Sequence, residues 1–208
     1  MKRIARDSLK TLAFPLKSMK RLLEEPRPAR RSAQAVLAVG ILYALSSVSL
    51  AAAGAVPLAP GFLRLRAENY YFWQMFLVIP VILLAWVLVS GVIRLLLRKE
   101  PGCASFDRTA ALTGVALATS LFVAWIPSGL TAIMMVMGMG QEELAEMLSQ
   151  PGLWQTLYLA CYIGAALGAV ALLVFAARLS QRTAKGRGTA VGIAAAALLV
   201  GLFVIFIR

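Results

Sequence analysis

Five stretches of this chain carry no charged residue and are each long enough to cross a bilayer: 32–56, 70–93, 109–140, 153–177 and 189–207. A hydrocarbon core about 30 Å thick takes about 20 residues of helix at about 1.5 Å per residue. In lipid every backbone N–H and C=O needs a partner inside the protein, which leaves only helices and closed barrels. Barrel strands alternate apolar and polar residues over segments of about ten, whereas these runs are continuously apolar. The chain is therefore predicted to be an all-α polytopic membrane protein. Hydrophobic residues are 61% of its 208, against about 45–50% in a soluble domain, and lipid must cover the excess.

The connections carry the charge, and they alternate. Residues 1–31 hold ten Lys or Arg, 94–108 hold Arg94, Arg98, Lys99 and Arg108, and 178–187 hold Arg178, Arg182, Lys185 and Arg187. The intervening connections hold Arg64, Arg66 and Glu68, then Glu142, Glu143 and Glu146 with no basic residue. Lys and Arg resist translocation, so the basic segments are assigned to the cytoplasm and the chain runs N-in, C-out through a domain spanning 32–208. Abundant Ala, Arg and Gly suit a bacterial source, and the inner (plasma) membrane is the expected location. The net charge of +12 is explained by topology and attraction to anionic headgroups, so no nucleic acid is expected as a partner.

Residues 1–31 are read as a cytoplasmic basic amphipathic segment. Ile4, Leu9, Leu12, Leu16, Met19 and Leu23 recur at helical spacing, interrupted at Pro15, while Lys2, Arg3, Arg6, Lys10, Lys17, Lys20 and Arg21 cover the remainder. Such a segment lies in the interface with its basic residues on anionic lipid. The small residues at 49–55 resemble a signal-cleavage site. The preceding apolar run is longer than the 7–15 residues of a cleavable signal, so an uncleaved first span is the reading.

The spans contain no Asp, Glu, Lys or Arg, and the chain has no His. Proton relays and ion-coupled carriers use an ionisable group at depth, and Ser-His-Asp, Cys-His and His-based zinc chemistry are excluded outright. Polar groups within the spans are hydroxyls and amides such as Tyr43, Ser46, Ser47, Gln74, Thr113, Thr119, Ser120, Gln155 and Tyr158. No cofactor and no metal are expected, and an enzyme is disfavoured; interfacial carboxylates such as Asp107 and Glu142 stand without a supporting arrangement. Cys103 and Cys161 fall in different environments and are not expected to pair. Met134, Met135, Met137, Met139 and Met147 cluster in sequence; thioethers suit copper(I), but without His or Cys beside them a flexible apolar surface is the reading.

Several positions within the spans are structural or functional candidates. Gly164 with Gly168, and Gly188 with Gly192, form small-xxx-small pairs that let helices approach closely, within the chain or in a homo-oligomer. Pro80 and Pro127 lie inside spans and are expected to kink them. The stretch Pro127-Ser128-Gly129 is either a kink filled by neighbours, the favoured reading, or a break of the kind that marks a transport pathway. Tyr70, Tyr71, Phe72 and Trp73 open the second span and are assigned to an interfacial aromatic belt.

The order of features then resembles a known family. Tyr-Tyr-Phe-Trp-Gln (70–74) opens the second span with Ile79-Pro80 inside it, and Pro-Gly-Cys-Ala-Ser-Phe-Asp-Arg-Thr (101–109) leads into Ala-Leu-Thr-Gly-Val-Ala-Leu-Ala (111–118), with Pro127 near the far end. Over 32–208 this is similar to the bacterial branch of the Yip family (Ypt/Rab-interacting, Yip-one domain) of integral membrane proteins. The resemblance implies five spans and a cytoplasmic N-terminus. In eukaryotes the family organises membrane and binds prenylated Rab GTPases, but the Asp-Leu-Tyr-Gly-Pro motif of those members is missing here. The leading expectation is a non-enzymatic membrane scaffold or membrane-organising protein, with lipids, a second copy or another membrane protein as partners. The alternative is a transport or permease component for an apolar or neutral solute or lipid.

Overall fold

The computed structural model describes residues 14–57, 66–98, 104–180 and 185–206, and among these the regular structure is all helix, without strands. Lys2, Arg3, Arg6, Lys10 and Cys103 lie outside the described residues. The helices are α1 (Pro15–Leu22), α2 (Pro28–Ala52), α3 (Tyr70–Leu97), α4 (Phe106–Val136), α5 (Gln141–Ser149), α6 (Leu153–Leu179) and α7 (Lys185–Phe206). Five of them, all but α1 and α5, are long and apolar enough to cross a membrane. Large apolar side chains such as Phe76, Leu84, Val87, Ile163 and Leu167 are exposed around the bundle. So much outward apolar surface requires lipid around it.

The helix ends follow from local chemistry. Pro28 begins α2, where its missing N–H costs nothing. Ser105 caps α4 by accepting from the Arg108 N–H at 3.3 Å, with Asp107 in the first turn. Both α2 and α4 finish on a glycine at positive φ, Gly54 (68°) and Gly138 (97°). After each, the Ala55 N–H reaches Leu50 O (3.0 Å) and the Met139 N–H reaches Met134 O (3.1 Å), closing Schellman caps. The third span therefore stops at Val136, short of the expected 140, because the chain needs a left-handed residue at Gly138. Helix α4 runs unbroken through Pro127, and α3 through Pro80.

Helix α4 is the axis of the bundle. In its most apolar window 72% of residues are buried, against 28% for α6. It packs on α2, α3 and α6, while α7 packs on α6 and α3. Its small residues make this possible. A methyl group added at Gly114 would fall 2.7 Å from Ser32 Cβ and 2.9 Å from the Trp86 indole nitrogen, so no larger residue fits there. Around this crossing Trp86 Nε1 donates to Ala110 O (2.8 Å), Ser90 Oγ to Trp86 O (2.6 Å), and Ser90 and Thr113 share a bond of 2.5 Å. Helices α6 and α7 meet as closely: a Cβ at Gly192 would lie 2.7 Å from Val174 N, and one at Gly188 would lie 3.1 Å from Arg178 Cγ.

All these contacts sit in one half of the bundle, the half bearing Arg27, Arg30, Arg31, Arg94, Arg98, Arg178 and Arg187. There α1 lies against α4 and α6. Met19 and Leu22 are buried in the core and Lys17, Lys20 and Arg21 face outward. Met19, assigned from sequence to a face lying on lipid, is instead covered by protein, while Leu16 stays exposed.

Candidate functional site

In the opposite half the helices separate around a cavity of about 640 Å³. One stripe of each long helix supplies its wall. From α2 come Tyr43, Ser46, Ser47 and Leu50, and from α3 Tyr70, Tyr71 and Gln74. From α4 come Ser120, Ala124, Ser128, Thr131 and Met135, a run of three- and four-residue steps that keeps one helix face turned inward. Helix α6 adds Tyr158, Leu159, Tyr162, Ala165, Ala166 and Ala169, and α7 adds Leu199, Val200 and Phe203. Among the described residues no Asp, Glu, Lys or Arg lines it. All five tyrosines of the chain do.

The polar wall is organised by hydrogen bonds between helices. Tyr43 OH donates to Leu121 O at 3.2 Å and so ties α2 to the middle of α4. Ser47 Oγ donates to Gln74 Oε1 (3.1 Å), linking α2 and α3. Trp125 Nε1 donates to Ser46 Oγ (2.9 Å) from the far side of α4's inward stripe. Pro127 O lies 3.0 Å from both Thr131 Oγ1 and Tyr158 OH, and the two hydroxyls also contact each other; with one proton apiece they make two of these three bonds at a time, which ties α4 to α6. Neutral hydroxyls and amides satisfied by backbone carbonyls are what a membrane interior tolerates, since an unpaired polar group there costs several kcal/mol.

Towards the solvent-facing end the cavity is roofed. The Gln141 side chain pairs reciprocally with the Val56 backbone, Val56 N to Oε1 at 2.7 Å and Nε2 to Val56 O at 2.8 Å. This pins the end of α2 to the start of α5. Under that clasp Leu50, Ala55, Ala132, Met135 and Leu144 form a second buried cluster, flanked by Met134, Met139, Met147 and Leu148. The three glutamates of α5 suggest a loop, yet the segment is helical: Leu144, Met147 and Leu148 at helical spacing turn inward while Glu142, Glu143 and Glu146 face out. Among the methionines of the sequence cluster, Met134, Met135, Met139 and Met147 pack as apolar roof and Met137 is exposed.

The sequence candidates distribute as follows. Ser128 lines the cavity, Pro127 supplies its carbonyl to Tyr158, and Gly129 is buried against the Trp125 indole of its own helix. Pro80 is on the exposed face of α3. Gly188 and Gly192 are at the α6–α7 contact, whereas a side chain at Gly164 or Gly168 would meet nothing within 4 Å. On α6 the inward small residues are Cys161, Ala165 and Ala169. The supposed aromatic belt divides. Tyr70 and Tyr71 turn into the cavity, and only Phe72 and Trp73 face outward. No family model matches this chain, and no curated protein or solved structure does.

Proposed function

We propose that this multi-pass protein is a non-enzymatic transport or permease component that takes up a neutral, largely apolar molecule in the half of the membrane occupied by its tyrosines. The observation that carries this reading is a cavity of about 640 Å³ with no charged side chain in its wall among the described residues. That size falls within the roughly 300–1,000 Å³ of sites for small organic ligands. A charged solute would find no counter-charge among the described wall residues, and charge buried without a partner is strongly unfavourable. The basic half beyond it is packed at Gly114 and Gly192, and the Gln141–Val56 clasp roofs the other end, so access is from the flank of the bundle rather than from either membrane surface. In this proposal the basic helix ends face the cytoplasm, giving N-in, C-out in a bacterial inner membrane, and Lys17, Lys20 and Arg21 contact anionic headgroups.

The test is uptake by the full chain in liposomes with and without Ser128→Leu and Ala165→Leu, which fill the cavity from two walls. Loss of uptake in both, with helix content unchanged, supports the reading; flux indifferent to both contradicts it.

A second reading, a membrane-organising scaffold like the Yip proteins, is favoured by one observation. Gly164 and Gly168 lie on the outer surface of α6 with open space before them, and a glycine pair allows close approach of another helix. Crosslinking in lipid through Cys substitutions at Ile163 and Leu167 separates the two readings: efficient dimers that vanish in Gly164→Leu favour the scaffold.

A further inference from the structure

The cavity is not uniformly lined, and its asymmetry says what kind of molecule it takes. We infer that the occupant is a single-chain uncharged lipid whose hydroxyl or carbonyl head rests against α2, α3 and α4 and whose chain leaves sideways between α6 and α7. This rests on the uptake reading above and narrows it.

Three observations carry the inference. First, the walls are segregated. Ser47, Gln74, Ser128 and Thr131 come from α2, α3 and α4, whereas α7 contributes only Leu199, Val200 and Phe203, and α6 is apolar between its two phenols, Tyr158 and Tyr162, and beyond them. A water-soluble neutral solute, polar on every side, would leave hydrogen-bonding groups facing that apolar wall. An amphiphile matches both walls. Second, the cavity is blocked above and below but not at the flank. The Gln141–Val56 clasp and the methionine-bearing cluster roof it, and the crossing at Gly114 and the contact at Gly192 close the bundle beneath. At the α6–α7 flank, by contrast, lining residues are also surface residues: Leu159 is 55% exposed, Tyr162 45% and Val200 43%. The two helices touch at Gly188 and Gly192, and towards their other ends Leu159, Tyr162 and Val200 face both cavity and surface, which makes a slot facing lipid tails. Third, the size is limiting. About 640 Å³ lies within the roughly 300–1,000 Å³ of sites for single small organic ligands, room for a small head and part of one chain. The wall donors and acceptors are hydroxyls and amides, so the head they complement is a neutral alcohol, ester or ketone rather than a phosphate or carboxylate.

Native mass spectrometry of the full chain, released from nanodiscs, tests this with four probes: monooleoylglycerol, oleate at pH 8, dioleoylphosphatidylglycerol and the water-soluble neutral solute benzyl alcohol. Monooleoylglycerol should be retained at least tenfold better than oleate or the phospholipid. The double variant Ser47→Ala, Thr131→Val should lose at least tenfold in that retention with unchanged thermal unfolding, and Val200→Trp, which narrows the slot, should abolish it. Equal retention of oleate or the phospholipid overturns the neutral single-chain assignment. Retention of monooleoylglycerol unaffected by either variant places the lipid elsewhere and overturns it as well. If benzyl alcohol binds, is displaced by Ser128→Leu, and monooleoylglycerol does not bind, the lipid inference fails while the uptake reading stands. If no probe binds and Ser128→Leu behaves as the parent, both fail.

Discussion

The two halves of the bundle are built from the same five long helices yet differ in what sits where helices face one another. In the basic half the facing residues are Ser32, Gly114, Val174 and Gly192, and the backbones come together. In the tyrosine half the facing residues are Tyr43, Tyr70, Tyr71, Tyr158 and Tyr162, and the backbones are held apart around a cavity. Lipid offers helices no hydrophobic drive to associate, so packing and hydrogen bonds decide the spacing. Small residues with carbonyl-directed bonds close the basic half. Bulky phenols, with their hydroxyls tied to Leu121 O and Pro127 O, prop open the other. A rigid closed end thus carries an open, ligand-sized end.

The comparison is most severely tested at the closed end. Gly192→Leu would drive a side chain into the Val174 backbone, and overpacking of this kind costs about 3 kcal/mol or more. Unfolding in mixed detergent micelles should show it as a large loss of stability, and a near-silent result would mean the helices are not in contact there. Gly114→Val should behave similarly, against Ser32 and Trp86. A smaller effect is expected at the open end. Ser128→Leu points into existing space and should change stability by less than about 1 kcal/mol while removing ligand uptake, so a change as large as that at Gly192 would deny that the cavity is there. Trp86→Phe removes one interhelical bond, to Ala110 O, worth about 0.6 kcal/mol in membrane proteins. The smallest effect belongs to Gly164→Leu. With nothing within 4 Å of that site, stability measured on dilute monomer should move by no more than about 0.5 kcal/mol, and a larger shift would reveal a helix packed against it.

Charge at the closed end gives a separate check. Replacing Lys17, Lys20 and Arg21, all exposed on α1, with Gln should weaken retention of anionic lipid. Each basic residue near a charged surface contributes about 1 kcal/mol, and the effect should fade as salt is raised. A loss of retention independent of ionic strength would argue against headgroup contact.

The five long helices were legible in the sequence because uncharged length is enough to mark a crossing helix. The rest depended on helix phase, which such runs hide: when every residue is apolar, periodicity no longer reports which face turns inward. Helix α6 illustrates this. Gly164/Gly168 and Cys161/Ala165/Ala169 share the same spacing a few positions apart, and only the fold decides that the second set faces α4 and the cavity. Tyr70 and Tyr71 read as membrane-surface aromatics for the same reason. The signal that could have separated them from Phe72 and Trp73 is the four-residue step from Tyr70 to Gln74, which puts a phenol and an amide on one face. The hydroxyls of Ser120, Ser128 and Thr131 at α4 spacing are a second such signal. The end of α4 was marked all along by Gly138, whose positive φ closes the cap.

The most direct test of the open-half account is an experimental structure of the full chain in a lipid nanodisc supplemented with monooleoylglycerol. The account predicts elongated non-protein density with one end against Ser47, Gln74 and Thr131 and the other emerging past Val200 between α6 and α7. Tyr162 and Val200 closed directly onto Ser128, with no space between the walls, would contradict it.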